Sequence, residues 1–254
     1  MKATTDSLLY RKTLSRQLGL LLGLLLGATL LYGGDKPWKA KTYQQWDEKD
    51  LQAILTDSPW VRVTPIQRTW LAVAEKDVVP DPQIAGGVRQ MPAPGSAENT
   101  ARAGETSLRE LNVQIFWQSS RVMRAATARE AVLHGKTVDV DKYVAEPQTE
   151  YQVILRMADM TPFAQHDEKS FQDNAFLQTK KGKGKISPSH VVYEKNAQGS
   201  IQDAIFFFPK TAPSGEPTIS GDEKEVQFSC KIADQTVRVG FKPQEMADQS
   251  GLAL

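Results

Sequence analysis

Six segments beyond residue 110 alternate between apolar and polar side chains, and this pattern constrains the fold more than any other feature of the chain. In 111–117 and in 151–157 the apolar residues recur at every second position. A period of two is typical of strands that bury one face. The unbroken apolar run 205–208 predicts a strand that is buried on both faces. The remaining segments pair along the chain as two predicted hairpins: 191–193 with 201–208, and 226–232 with 237–241.

Helices are predicted at a few places between these strands. Apolar residues recur at helical spacing in 43–55. A second helix is expected to end near Leu133, with Ser119 or Ser120 as its N-cap and Gly135 in the left-handed position after its end. Hairpins with few helices predict the α+β class, in which a mainly antiparallel sheet is packed by helices on one side.

A stretch rich in proline and glycine, 76–106, divides the chain. It contains no aromatic residue and cannot supply a packed core, so we predict a flexible linker or a long loop. A signal peptide or membrane anchor is predicted at 1–34, a tryptophan-rich helix and strand segment at 35–75, and an α+β domain at 107–254. Within the tryptophan-rich segment, 61–74 is predicted to form one strand or two short ones, with an interruption at Pro65.

The N-terminal segment has the composition of a bacterial export signal. An uncharged, leucine-dominated run at 18–32 is preceded by four basic residues: Lys2, Arg11, Lys12 and Arg16. Export signals place positive charge before a hydrophobic run, and the positive end stays in the cytoplasm. The chain after Gly34 is therefore predicted to be extracytoplasmic, which means periplasmic, secreted or anchored to the inner membrane.

The same segment leaves its cleavage and its self-association open. Tyr32 stands where a signal peptidase needs a small residue, which favours a retained anchor over a cleaved signal peptide. Gly19, Gly23 and Gly27 repeat every four residues, a spacing that lets two membrane helices approach closely. The competing interpretation, which we favour, is that glycine only interrupts a leucine-rich signal. The oligomeric state is therefore left open.

Composition excludes some partners and some covalent chemistry. With 31 basic and 30 acidic residues the formal net charge is +1, so no global field attracts nucleic acid. Cys230 is the one cysteine, and no disulfide can form within the chain. It lies on the apolar face of the predicted strand 226–232, where a thiol is expected to be an inert part of the core.

Catalytic and metal-binding constellations are poorly represented. His134, His166 and His190 have no paired spacing, so we expect no metal site. A hydrolase would need His190 or His166 as its base, with Ser189 as nucleophile and Asp203 as acid. Because neighbouring residues in a strand point to opposite faces, Ser189 and His190 are not expected to meet. We expect no catalytic residue and no cofactor.

Lysines form the one concentrated basic patch of the sequence. They are Lys180, Lys181, Lys183 and Lys185, interleaved with two glycines. This patch predicts an anionic-ligand site, although the string does not match a P-loop. The competing interpretation, which we favour, is a solvated loop before a strand.

Three tryptophans lie close together near the start of the predicted exported part. Trp38, Trp46 and Trp60 could line a surface that binds carbohydrate or protein. The interpretation that we favour is that they clamp an N-terminal helix onto the core.

The residues around these tryptophans carry a family resemblance. The strings KPW at 36–38, QWDEKD at 45–50 and ILTDSPW at 54–60 resemble bacterial GWxTD-domain-containing proteins. The resemblance implies a secreted or envelope-associated protein. It implies no particular reaction, cofactor or catalytic residue.

These observations together predict an exported, non-catalytic interaction module of the bacterial envelope. Its predicted partners are the membrane, through the N-terminal segment, and an unidentified envelope protein or polymer. Two alternatives remain: a hydrolase that acts on an envelope polymer, and a binder of anionic ligands through the lysines of 180–185.

Overall fold

The computed structural model describes residues 36–70, 110–181 and 184–254. Six helices lie in these residues: α1 Pro37–Ala40, α2 Glu48–Thr56, α3 Arg121–Leu133, α4 Val140–Ala145, α5 Thr161–Ala164 and α6 Glu168–Asn174. The strands are β1 Val61–Gln67, β2 Glu110–Trp117, β3 Glu150–Arg156, β4 Ala175–Thr179, β5 Lys185–Ile186, β6 His190–Lys195, β7 Ile201–Pro209, β8 Val226–Ile232, β9 Gln235–Phe241, β10 Ala247–Asp248 and β11 Gly251–Leu252. Helices and antiparallel strands confirm the predicted α+β class.

Several predicted features lie outside the described residues. They are the export segment 1–34 with Gly19, Gly23 and Gly27, the predicted linker 76–106, and Lys183. Within the part of the chain that the structure describes, no helix is long and apolar enough to cross a membrane.

The strands are divided between two main sheets rather than the single sheet that the sequence predicts. One has the order β1-β2-β3-β7-β6, the other has the order β5-β4-β8-β9, and β10 pairs with β11. Aromatic rings join the two sheets, since Trp117 lies 5.2 Å from Phe241 and Phe206 lies 5.3 Å from Phe228. The apolar faces of both sheets therefore form one core between them.

Side-chain alternation explains this core. In β2 the residues Val113, Ile115 and Trp117 are fully buried, and Ile115 lies opposite Leu155 of β3. Burial of these faces supplies most of the driving force for stacking the sheets. On the other face of β7, Ile205 and Phe207 are only half-buried, so the prediction of burial on both faces was wrong there.

The two open sides of the sandwich are closed in different ways. At one side the edges of β1 and β9 are joined by Arg62, whose Nε donates to the Gly240 carbonyl at 2.8 Å. At the other side α6 contacts both β6 and β8. There the rings of Phe163 and Phe171 stack at 4.1 Å, and Tyr193 lies edge-on to both.

The predicted helix 43–55 begins later than expected. A short 3-10 turn, Tyr43–Gln45, is followed by an extended Trp46, and α2 begins after it. Asp47 fixes this start, because its carboxylate accepts from the Asp50 amide at 2.9 Å while Asp50 accepts from the Asp47 amide at 3.2 Å. This reciprocal capping box outweighs the apolar periodicity before it.

Three other local predictions have clear outcomes. Ser120 caps α3, since its hydroxyl accepts from the Met123 amide at 3.0 Å, and Gly135 has a φ of 79° after the helix end. Both confirm the sequence analysis. The predicted interruption at Pro65 was wrong: β1 runs through it, because β1 is an edge strand and needs one fewer amide donor there.

The thiol of Cys230 is buried in β8, as predicted, and its accessible fraction is 0%. Burial raises the pKa of this thiol, so the reactive thiolate is disfavoured at neutral pH. We expect iodoacetamide to leave the folded protein unlabelled and to label it stoichiometrically in urea, as measured by intact mass. Rapid labelling of the folded protein at pH 7 would contradict an inert core position.

Candidate recognition cleft

The three tryptophans of the N-terminal segment are buried against the core. Trp38 and Trp46 are each 4% exposed and Trp60 is fully buried. Trp38 packs edge-on against Trp60 at 5.7 Å, and the Trp60 indole donates to the Ala253 carbonyl at 2.7 Å. The prediction that these side chains clamp the N-terminal helix onto the core is confirmed.

Two of these tryptophans, Trp38 and Trp46, also line one wall of a cleft of about 280 Å³. A second wall is the first turns of α3, through Val122 and Ala125. The third is the β10–β11 hairpin, through Asp248, Gln249 and Ser250. The walls of the cleft therefore come from the start, the middle and the end of the described chain.

Aromatic side chains give the first wall its character. Tyr43 is half-buried and lies 6.4 Å from Trp46, with the two rings close to perpendicular. Trp46 is held in place because its indole donates to the Pro37 carbonyl at 3.3 Å. The Trp38 indole nitrogen is buried and has no hydrogen-bond acceptor among the described residues. This wall thus presents mainly apolar ring surface to the cleft.

A charged fork spans the opposite side of the cleft. Arg121 donates to Asp248 through Nε at 2.8 Å and through Nη2 at 2.7 Å. The Ser250 amide donates to the same carboxylate at 2.7 Å. The hydrogen bond with Asp248 raises the pKa of Arg121. This bidentate geometry fixes both planar groups.

The second cation of the lining is also paired. Lys41 Nζ lies 2.7 Å from Asp50 Oδ2, and this hydrogen bond raises the pKa of Lys41. Each cationic side chain that lines the cleft therefore has its own carboxylate. The charges that line the cleft are therefore balanced.

The hairpin is tied to the N-terminal wall. Gln249 Nε2 donates to the Lys39 carbonyl at 3.1 Å. With the Trp60–Ala253 bond, this contact holds the C-terminal hairpin against the tryptophan-rich segment. The walls of the cleft are consequently positioned before any ligand arrives.

Sequence analysis singled out only the tryptophans of this cleft. Arg121 and Asp248 are 127 positions apart, and neither belongs to a recognisable motif. No local signal in the sequence marks such a pair. Only the folded arrangement brings the two side chains together.

The predicted anionic-ligand patch is largely occupied by neighbouring side chains. Lys180 pairs with Glu225 at 2.9 Å, and Lys181 pairs with Asp222. Lys185 lies over the Phe176 ring at 4.2 Å. Lys183 lies outside the described residues. The anionic-ligand site stays a prediction, and it would have to displace two carboxylates.

The expectation that Ser189 and His190 do not meet was wrong. His190 Nδ1 lies 3.1 Å from Ser189 Oγ. The two can meet because β6 begins at His190, so Ser189 precedes the strand and does not follow its alternation. The acid of this cluster is Glu150, which sequence analysis missed, whereas Asp203 pairs with Arg156 at 2.6 Å.

The hydrogen bonds of this cluster differ from those of a nucleophile and its base. The Ser189 hydroxyl donates to the Glu150 carboxylate, so its proton is not directed to His190. Glu150 also lies 4.0 Å from His190 Nδ1, the ring nitrogen that faces the serine. A catalytic acid would instead hold the other ring nitrogen. Ser189 and His190 are exposed, and the His190 ring stacks on Phe207 at 4.2 Å.

The remaining histidines lie apart from this cluster. His134 follows α3 and its Nδ1 lies 2.9 Å from the Glu130 carbonyl. His166 precedes α6, and its carbonyl accepts from the Tyr193 hydroxyl at 3.2 Å. Within residues 36–70, 110–181 and 184–254, no three side chains of histidine, cysteine, aspartate or glutamate are grouped to hold a metal ion.

Comparisons with known proteins do not place the chain in a family. No protein-family model, no curated protein and no solved structure matches it. The resemblance to GWxTD-domain-containing proteins therefore stays a prediction. The cleft is the structural feature on which a function can be inferred.

Proposed function

We propose that the protein is a non-catalytic recognition module of the bacterial envelope, and that it binds its extracytoplasmic partner in the cleft. The observation that carries this proposal is the cleft itself, whose walls come from three distant parts of the chain. Small-molecule sites are typically concave, largely preformed and lined by apolar rings with a few fixed polar groups. The cleft has each of these properties.

The position of the cleft in the chain suits an anchored receptor. Helix α1 begins at Pro37, three residues after the end of the predicted anchor at Gly34. Three extended residues span about 10 Å. If the anchor is retained, the aromatic wall of the cleft lies close to the outer surface of the membrane. The protein would then bind its partner next to the membrane.

The two alternative functions receive less support. Ser189 shares its proton with Glu150 rather than with His190, which is unfavourable for a hydrolase. Lys180 and Lys181 are paired with carboxylates, which lowers the attraction of their loop for an anion. Neither site has the preformed walls of the cleft.

The proposal is tested by site-specific photocrosslinking in intact cells of the native host. A photoreactive phenylalanine analogue replaces Ser250, an exposed residue of the cleft, in the full-length protein. We expect a light-dependent adduct in the envelope fraction. The matched control carries the analogue at Thr236, which is also exposed but lies outside the cleft.

Three results of this experiment decide between recognition in the cleft and its absence. An adduct at Ser250 that disappears when Tyr43 is also changed to alanine supports recognition in the cleft. Equal adducts at Ser250 and Thr236, or no adduct at Ser250 in a protein that is folded and exported, would overturn it.

A further inference from the structure

We propose that the cleft holds one uncharged, hydroxyl-rich sugar ring of an envelope glycan. This inference rests on the proposed function, because it names the class of ligand that the same cleft takes. Four properties of the cleft support it: balanced charge, adjacent donors and acceptors, aromatic surface, and volume.

Charge balance favours an uncharged ligand. Arg121 and Lys41 each lie 2.7 Å from a carboxylate oxygen, of Asp248 and Asp50 respectively. A phosphate or carboxylate would have to compete with these fixed carboxylates. An ammonium group would have to compete with Arg121 and Lys41 for the carboxylates that they already bind. An uncharged ligand meets neither cost.

The fork still offers hydrogen bonds to a ligand. A guanidinium group has five N–H donors, and Arg121 uses only Nε and Nη2 for Asp248. The Asp248 carboxylate has about four acceptor positions, of which Arg121 and the Ser250 amide take three. Unused donors therefore lie beside an unused acceptor. Neighbouring hydroxyl groups of a sugar both donate and accept, and they match such a pair.

The aromatic wall suits the carbon-bound face of a sugar ring. The half-buried ring of Tyr43 lines the cleft beside the buried Trp46, and the exposed part of the Tyr43 ring is apolar surface that the C–H groups of a sugar can cover. The polar edge is supplied by Arg121 and Asp248 on the opposite side of the cleft. An apolar face and a polar edge are thus available in one site.

The volume of the cleft limits how much of a polymer it can take. At about 280 Å³ it lies just below the usual range for small-molecule pockets, about 300–1,000 Å³. This volume is appropriate for one ring rather than for a chain of several. The rest of a polymer would leave the cleft through its open side.

Calorimetric titration of the full-length protein in detergent with tetra-N-acetylchitotetraose tests this inference. We expect saturable binding that is insensitive to salt between low and high ionic strength, because the ligand is uncharged. Tyr43→Ala should weaken binding about tenfold, the effect of losing roughly 1.4 kcal/mol of aromatic contact. The matched control is Tyr143→Ala, which removes an exposed tyrosine outside the cleft and should leave the affinity unchanged.

A second variant tests whether binding needs the bidentate contact between Arg121 and Asp248 or only a positive charge at position 121. Arg121→Lys keeps the positive charge but cannot form the bidentate contact with Asp248, and it should weaken binding while the variant stays folded by circular dichroism. Binding that survives both substitutions in the cleft, or no binding of the tetrasaccharide, would overturn the sugar assignment. If the molecule crosslinked at Ser250 in the photocrosslinking experiment is then a protein of fixed mass, the cleft still recognises a partner, but that partner is not a glycan. If no adduct forms either, the proposed function fails as well.

Discussion

We expect Trp60→Ala to lower the free energy of unfolding by about 3–5 kcal/mol, the usual cost of removing a large aromatic side chain from a core. Trp60 is fully buried, and its indole donates to the Ala253 carbonyl at 2.7 Å. Its ring also supports Trp38, which lines the cleft. The substitution therefore removes core packing, frees the C-terminal hairpin and loosens the aromatic wall together. Urea unfolding followed by circular dichroism measures the loss.

Trp70→Ala is the matched control for this substitution. Trp70 is half-buried and makes one indole hydrogen bond, to Asp159 at 2.9 Å. Its replacement should cost clearly less than that of Trp60, because less apolar surface is buried. Equal losses for the two variants would show that Trp60 is not the central support of the clamp.

The second large effect concerns Asp159, which joins the end of β1 to the start of α5. Its carboxylate accepts from Arg68 Nε at 3.0 Å, from the Trp70 indole at 2.9 Å and from the Thr161 amide at 3.0 Å. Burial pushes the pKa of Asp159 up, but the hydrogen bonds from Thr161, Trp70 and Arg68 outweigh it and hold the pKa well below its ordinary value. We expect Asp159→Asn to cost about 2 kcal/mol at pH 7, since hydrogen bonds to charged groups are individually worth about 1.5–3 kcal/mol.

The depressed pKa of Asp159 also fixes the sign of a pH effect. The folded state binds the proton more weakly than the unfolded state, so the stabilisation is complete above the unfolded pKa of about 3.9 and is lost as pH falls below it. The difference in unfolding free energy between wild type and Asp159→Asn should be constant from pH 7 to pH 5 and smaller at pH 3. Asp57→Asn, at an exposed helix end, is the control. The same pH profile for both substitutions would contradict this role for Asp159.

Much of the fold could be predicted because its signals are local. The alternation in β2 and β3, the hairpins β6–β7 and β8–β9, and the cap of α3 at Ser120 each depend on residues that are close in sequence. The burial of Cys230 followed from the same alternation. Hydrophobic periodicity and helix capping depend on residues within a single helix or strand, so they can be recognised in a single sequence.

The division into two sheets could not be predicted in this way. It depends on contacts such as Arg62 with Gly240 and on the stacking of Phe163 and Phe171, which close the two sides of the sandwich. The short strand β4 was missed because it follows α6 directly, with no turn residue between them. These features come from tertiary packing rather than from local propensity.

The cleft was even harder to predict from sequence, because it too is formed by tertiary packing. Trp38, Trp46 and Trp60 were recognised together as candidates. The wall that Trp38 and Trp46 line depends on the packing of Trp38 against Trp60 and on the position of α3. The polar side of the cleft depends on Arg121 and Asp248, which meet only in the folded chain. Functional side chains of this kind carry no spacing signal when they lie on separate elements.

Occupation of the cleft is tested most directly by nuclear magnetic resonance of the tryptophan indoles. The chain has five tryptophans, and single replacements by phenylalanine assign their N–H signals in the full-length protein. On addition of a muramidase digest of the host cell wall, we predict shifts for Trp38 and Trp46 and unchanged signals for Trp70. Binding that shifts Trp70 and leaves both cleft indoles unchanged would contradict recognition in the cleft.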